Sequence, residues 1–213
     1  MVDHLPRRNI NGRLTNLNYA PRDGTLLFRP IFLTNPNTIK NELTRHAPWQ
    51  DRTMNIRGNI LPVPRLTSYY GQQTGEHTSN CILYNPIDWT RPLAEFKNII
   101  ELESSGSQLQ EQYTNVLLEY YRNGNDCMKI DSENFTDLGE NPITATVFLS
   151  AQGPIRRRIC FKHVQTKEIF QIKIEHNSLI IMGNGFHKNW RQYIPKEKIN
   201  KEHISLTFKK IVR

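Results

Sequence analysis

The feature that most constrains this chain is a series of short strand-like segments in its second half. Six runs rich in β-branched and aromatic residues follow residue 112, and no helical pattern lies between them. Turn clusters such as NGND, DLGENP and GNG separate these runs. Six strands at this spacing predict a β-sandwich or a barrel, and we expect a jelly roll.

The first half of the chain has a mixed pattern that predicts an α+β protein. Residues 26–33 are an apolar run typical of a short strand, and residues 56–71 alternate in a way that suits lid hairpins. Residues 1–25 are polar without a clear period, so we expect a flexible arm ahead of a single domain at 26–213.

Two N-terminal helices are predicted to support the jelly roll. The first would be capped by Asn37 or Thr38 and would end at Pro48. The second would span 92–104, with Pro92 in its first turn and an apolar stripe along one face.

The charge of the chain is concentrated in its last third. The whole sequence has a net charge of +8, and residues 151–213 alone hold 14 Lys or Arg against 4 Asp or Glu. Such a positive region favours DNA or RNA as a partner, because phosphate backbones release counterions when cations bind them.

Other features bear on where the protein works. No apolar run is long enough to cross a bilayer, and the first residues lack the apolar core of a secretory leader. The 3 cysteines are far apart and form neither a disulfide framework nor a zinc motif. We therefore expect an intracellular protein without membrane contact, with the nucleus favoured over the cytoplasm.

Five segments carry motifs in a fixed order. They are PRLTSYYG at 64–71, YTNVLLEYYRNGNDCMKIDSE at 113–133, NPITATVFLSAQG at 141–153, NSLIIMGNGFHKNWRQYIPK at 177–196 and HISLTFK at 203–209. In this order and spacing they resemble the AlkB family of iron- and 2-oxoglutarate-dependent dioxygenases, which demethylate nucleic-acid bases. The resemblance covers 26–213 and implies a double-stranded β-helix with N-terminal helices and lid hairpins.

The resemblance also implies a metal site whose ligands have changed. The family binds Fe(II) with two histidines and one carboxylate. The flanking motifs place Asp131 and Gln192 at the histidine positions and Glu133 at the carboxylate position. No histidine lies between His77 and His163, so no shift of register restores the first ligand. We expect a degenerate site that holds neither metal nor cofactor.

The co-substrate positions implied by the resemblance have changed as well. The family binds 2-oxoglutarate with two arginines, and His203 and Lys209 stand at those positions. Glu119 replaces an asparagine two residues before the retained Tyr121. Lys209 can still attract a carboxylate as a point charge, whereas an ionised Glu119 is expected to repel a dianion.

These losses predict a catalytically inactive AlkB-like pseudoenzyme rather than an enzyme. It would act as a binding or scaffold subunit beside other protein subunits, for example in a DNA or RNA methyltransferase complex. Two alternatives stay open. One is an active nucleic-acid dealkylating dioxygenase with an unusual metal site, and the other is a protein-interaction module without nucleic-acid contact.

Seven residues are candidates for nucleic-acid contact. They lie on the predicted lid, in the basic run and near the end of the fourth motif: Arg65, Tyr69, Arg156, Arg157, Arg158, Lys188 and Arg191. Strand alternation would send Arg156 and Arg158 to one face and Arg157 to the other. The three arginines are therefore not expected to grip one ligand together.

Overall fold

The structure consists of strands in two facing sheets with helices on the outside. The computed structural model describes residues 15–16, 23–29, 33–56, 58–72, 77–79, 82–105, 107–130, 135–150 and 157–212. The helices are α1 Pro36–His46, α2 Arg91–Glu103 and α3 Phe186–Asn189, with a 3-10 helix at Phe135–Leu138.

The strands are short, and most of them lie in the second half of the chain. In chain order they are β1 Thr15–Asn16, β2 Thr25–Arg29, β3 Thr53–Ile56, β4 Asn59–Pro62, β5 Leu66–Gly71, β6 His77–Ser79, β7 Ile82–Tyr84, β8 Asn115–Tyr121, β9 Thr144–Ser150, β10 Arg158–His163, β11 Ile169–Lys173, β12 Ser178–Gly183, β13 Trp190–Tyr193 and β14 His203–Lys209.

The large sheet holds seven of the described strands in the order β1-β2-β12-β9-β14-β8-β5. Its strand pairs are antiparallel, and β14 lies between β8 and β9. The small sheet has the order β11-β10-β13. Two facing antiparallel sheets with helices outside confirm the predicted α+β class and jelly-roll architecture.

Two apolar clusters hold these layers together. On the outer side of the large sheet, α2 packs Leu93, Phe96 and Ile100 against β14, whose Leu206 and Phe208 are fully buried. The second cluster lies between the sheets and joins residues of β9 and β12 to residues of β10, β11 and β13. The large sheet is therefore covered on both faces.

Several local predictions need correction. Helix α1 begins at Pro36 after Asn35, not after Asn37 or Thr38, because proline is favoured in the first turn of a helix. The predicted hairpins at 56–71 are one hairpin, β3–β4, followed by β5, which belongs to the large sheet.

The sequence pattern also missed four of the described strands, which are β1, β6, β7 and β13, and β6 pairs with β7. Strand β1 pairs with β2, so part of the predicted arm is an edge strand of the large sheet. Strand β13 pairs with β10, although its four residues WRQY carry too few apolar positions to predict a strand.

We predict that Ile100→Ala destabilises the protein by about 2–5 kcal/mol, because the fully buried side chain leaves a cavity between α2 and the large sheet. The neighbouring Ile99 is 39% exposed, and its substitution by alanine serves as the matched control. Urea unfolding measures both variants. Equal losses of unfolding free energy in the two variants would contradict the position of the core.

Candidate active site

The face of β14 that looks toward the small sheet is polar. Its apolar residues, Ile204, Leu206 and Phe208, pack on the helix side. Because side chains alternate along a strand, the opposite face carries a row of buried polar residues. This row is His203, Ser205, Thr207 and Lys209. We call this side of the large sheet the inner face.

Neighbouring strands extend the polar inner face on both sides of β14. The register places Tyr121 and Glu119 of β8 opposite His203 and Ser205. On the other side, the hydroxyl groups of Thr146 and Thr207 lie 3.2 Å apart. Buried polar groups are costly unless they find partners, so we take this continuous polar surface between the two sheets as the candidate cavity for a ligand.

A buried ion pair lies at the centre of the inner face. The Nε of Arg65 donates a hydrogen bond to Glu119, and both side chains are almost fully buried. Tyr121 and Ser205 each donate a hydroxyl hydrogen bond to Oε2 of Glu119 at 3.2 Å. Burial lowers the pKa of Arg65, but the adjacent Glu119 carboxylate outweighs burial and raises the pKa overall.

This pair corrects one expectation from the sequence. Glu119 was expected to repel a dianion at the co-substrate position. The guanidinium of Arg65 instead compensates the charge of the Glu119 carboxylate. The residue therefore adds no net negative charge to the inner face.

Arg157 brings a second guanidinium to the same region. It is fully buried, its Cζ lies 5.0 Å from the centre of the Tyr121 ring, and its Nη1 donates to the carbonyl of Asn123 at 2.8 Å. A second hydrogen bond goes to the carbonyl of Asp126. Burial lowers the pKa of Arg157. The carboxylates of Asp126 and Glu197 also act on Arg157, and they are themselves paired with Arg122 and Arg158.

His203 is held in its neutral form beside these charges. Its ring stacks on Tyr121 at 4.3 Å between ring centres, and it is fully buried. Burial, together with the charge of Arg157, holds the pKa of His203 well below its ordinary value. Neither ring nitrogen has a hydrogen-bond partner within the described part of the chain.

The structure describes one of the three metal positions implied by the resemblance. Gln192 lies two residues from both Trp190 and Ile194, which pack between the sheets, and residues two apart share one face of a strand, so its side chain points inward. Its Oε1 is buried and has no hydrogen-bond partner among the described residues. An unsatisfied buried oxygen of this kind fits a cation that prefers oxygen ligands.

The other two metal positions, Asp131 and Glu133, lie outside the described residues. The backbone leading to them is fixed by an antiparallel bridge between Met128 and Ile194. Because Ile194 follows Gln192 by two residues, this bridge places Met128 close to the strand that carries Gln192. Among the described residues alone, no group of three or more His, Cys, Asp or Glu side chains is placed to hold a metal.

The two positions where the family has arginines do not form a bidentate clamp. His203 is neutral, and Lys209 is a buried lysine at the far end of the polar row. One cation therefore remains at these positions. It can contact a single carboxylate, whereas the guanidiniums of Arg65 and Arg157 lie at the opposite end of the row, beside Tyr121.

The nucleic-acid candidates separate into buried and exposed residues. Arg65, Tyr69 and Arg157 are buried, so they are not available to stack on a base at the surface. Arg158 and Lys188 are exposed, and Arg191 is half-buried. Arg157 faces inward and Arg158 outward, as alternation predicts. Arg156 lies outside the described residues.

Sequence reasoning missed part of this site. His187 lies within 3.0 Å of the Thr144 hydroxyl on the inner face, although it was given no role. The alternation of HISLTFK carries a signal for the polar row, since three apolar residues separate four polar ones. The pairing of Arg65 with Glu119 has no such local signal.

Comparison with curated proteins finds relatives over most of the chain. The chain is 29% identical over 191 residues to alpha-ketoglutarate-dependent dioxygenase alkB homolog 3 of Bos taurus, which covers 85% of this chain and 63% of the relative. The human protein of the same name is 29% identical and matches over 81% of this chain and 60% of its own length. The chain thus spans about three fifths of these relatives.

A third relative is a DNA oxidative demethylase, ALKBH2 of Arabidopsis thaliana, which is 22% identical over 82% of this chain and 62% of its own length. No protein-family model matches the chain.

Two solved structures share the fold. A 2OG-Fe(II) oxygenase family oxidoreductase from Burkholderia pseudomallei has a TM-score of 0.58 at 8% identity, covering 86% of this chain and 84% of its own. A prolyl-4-hydroxylase from Pseudomonas putida has a TM-score of 0.55 at 11% identity, covering 89% of this chain and 94% of its own. The fold is that of the 2OG-Fe(II) oxygenases, and the relatives support the AlkB-like resemblance.

These comparisons contradict the expectation of an inactive scaffold subunit. The relatives that match over 81–85% of the chain are named as dioxygenases or as a demethylase. The names of these relatives contradict the prediction of a catalytically inactive pseudoenzyme that acts as a scaffold subunit, for example in a methyltransferase complex.

We predict that His203 makes the stability of the protein fall in mild acid. The unfolded chain takes up a proton on this side chain near pH ~6.5, whereas the folded protein does not until a much lower pH. Below that pH the unfolded state binds more protons, so the free energy of unfolding falls by about 1.4 kcal/mol per pH unit.

Urea unfolding between about pH 7.5 and 5.5 measures this effect. His203→Gln is expected to show a shallower pH dependence than the wild type. His46→Gln, at the exposed end of α1, is the control and is expected to keep the wild-type slope. An unchanged slope in His203→Gln would show that the buried histidine is not held neutral.

Proposed function

We propose that this AlkB-like chain is a nucleic-acid dealkylating dioxygenase with an unusual metal site. The observation that carries the proposal is the buried charge of the inner face. Arg65 compensates Glu119 and Arg157 lies beside them at one end, and the buried Lys209 lies at the other end. A positive, buried, polar surface suits a dianionic keto-acid. The names of the relatives add support for the reaction type.

The metal would be held by oxygen atoms rather than by imidazoles. Gln192 offers its buried amide oxygen, and the resemblance adds Asp131 and Glu133. Bound Fe(II) supplies the activation of O₂ in this family. The altered ligands thus define an oxygen-rich variant of the site, which binds Fe(II) less tightly than two histidines do.

The residues of the chain would bind and orient the keto-acid. Lys209 supplies a point charge for one carboxylate from the far end of the polar row. Neutral His203 places a ring N–H and a ring acceptor in the cavity without adding charge. Arg65 keeps Glu119 from repelling the second carboxylate.

The substrate class rests on the relatives and on charge. One relative is named as a DNA oxidative demethylase. The excess of lysine and arginine in residues 151–213 favours a phosphate-bearing substrate, either DNA or RNA. Such an enzyme would oxidise a methyl group on a base with O₂ while 2-oxoglutarate is converted to succinate and CO₂.

The test is to titrate the purified protein with Fe(II) under anaerobic conditions and then supply O₂, 2-oxoglutarate and an oligonucleotide with N-methylated bases. We predict that about one Fe(II) binds per chain, and that succinate forms while the bases of the oligonucleotide lose their methyl groups. Metal binding without turnover of either compound would contradict the proposal.

The role of Gln192 is tested by two variants in the same metal titration. Gln192→Ala removes the inward oxygen and is expected to weaken Fe(II) binding by about tenfold or more. Gln192→His supplies an imidazole and is expected to bind Fe(II) at least as tightly as the wild type. Equal Fe(II) affinity in wild type and Gln192→Ala would remove this residue from the metal site.

A further inference from the structure

The outer face of the small sheet is strongly basic. Ile159, Phe161 and His163 of β10 are buried, so alternation turns the remaining residues of that strand outward. The neighbouring strands alternate in the same way, with Phe170 and Ile172 of β11 packed inward. Four cations share the outward side: Arg158, Lys162, Lys173 and Arg191. We call this surface the outer basic face.

The strand register sets these cations in two pairs. Arg158 lies directly opposite Lys173, and Lys162 lies directly opposite Arg191. Like charges directly opposite each other on two antiparallel strands destabilise a sheet. Arg158 has a carboxylate partner, and Arg191 donates to the carbonyls of His187 and Trp190 at 2.6 and 3.2 Å. The two pairs still concentrate positive charge on one small sheet, which is a surface suited to an anion.

The carboxylate of Glu197 offsets part of this charge. It accepts a hydrogen bond from Nε of Arg158 at 2.7 Å. Glu197 and the four cations together carry a net charge of +3. The outer basic face therefore keeps a clear positive excess, which is centred on Lys162 and Lys173.

The spacing of the pairs suits a chain of phosphates. Arg158 and Lys162 are four residues apart on one strand, which is about 13 Å at the usual rise per residue. Successive phosphates of one duplex strand rise by ~3.4 Å along the axis, so two pairs of cations this far apart do not share one phosphate. Each pair of cations can therefore contact a separate phosphate of one strand.

The composition of the face favours nucleic acid over an acidic protein. Protein interfaces usually have an apolar or aromatic core with few charges at the centre. Here the charges flank Cys160, Gln171 and Tyr193, and the exposed apolar residue Ile169 lies at one end. Polar surfaces rich in positive charge are typical of nucleic-acid contacts.

We propose that the outer basic face binds the phosphodiester backbone of the nucleic acid, at a distance from the cavity where a base would react. This inference rests on the proposed nucleic-acid substrate. It assigns to the small sheet a role in holding the strand, through contacts that do not depend on base sequence.

The test compares the binding of a fluorescently labelled, unmodified DNA single strand by the full chain and by Lys162→Gln/Lys173→Gln. The slope of log K for DNA binding against log salt becomes shallower by about 0.7 for each phosphate contact that is lost. Because the double variant loses two contacts, we expect its slope to be shallower than that of the wild type by about 1.4. At about 0.1 M salt this corresponds to about 25-fold weaker binding.

The matched control is Arg91→Gln/Lys97→Gln, which removes the same charge from α2 on the other side of the large sheet. It is expected to keep the wild-type salt slope. Equal affinity and slope in the wild type and Lys162→Gln/Lys173→Gln would overturn the inference. Binding of polyglutamate as tightly as DNA, with the same loss in the double variant, would also overturn it.

The outcome is distinguishable from that of the proposed function. If the double variant demethylates DNA and binds it with unchanged affinity, the proposed enzymatic function is supported and the role of the outer basic face in DNA binding is contradicted. If the double variant binds DNA more weakly and the wild type shows no turnover, the role of the outer basic face in DNA binding is supported and the proposed enzymatic function is contradicted.

Discussion

The buried ion pair between Arg65 and Glu119 decides what the inner face can bind. Two charges taken out of water are costly, and the cost is recovered only when further hydrogen bonds satisfy both groups. Tyr121 and Ser205 supply those bonds to the carboxylate, and the carbonyl of Cys127 accepts one from Arg65 at 3.1 Å. The pair thereby links β5, β8 and β14 to the segment that precedes Asp131, and it removes the negative charge that would repel a keto-acid.

The fold was predictable because its strong signals are local. The β-branched runs that become β8, β9, β12 and β14 carry the strand pattern without interruption, and α2 carries its apolar stripe. The weak points are equally local. Strand β13 has only four residues, and Gln192 and Arg191 interrupt its apolar pattern, so pairing with β10 rather than propensity makes it a strand.

The candidate site was predictable in position but not in charge. The motifs located Gln192, His203 and Lys209, and alternation in β14 turns the last two toward the cavity. The compensation of Glu119 joins residues 54 positions apart and leaves no pattern in the sequence. Taken alone, the changed ligands suggested lost activity, and the relatives contradict that conclusion. The substituted positions show that the site has changed. The charge of the site also depends on neighbours such as Arg65, which only the folded chain brings next to Glu119.

The central claim is that the inner face attracts a dianion despite Glu119. Calorimetric titration of the Mn(II)-loaded protein with 2-oxoglutarate, and with its neutral diester, tests this claim without any turnover. The account predicts saturable binding of the dianion, weaker binding in Lys209→Gln and none of the diester. Absence of 2-oxoglutarate binding, or equal affinity for the dianion and the diester, would contradict it.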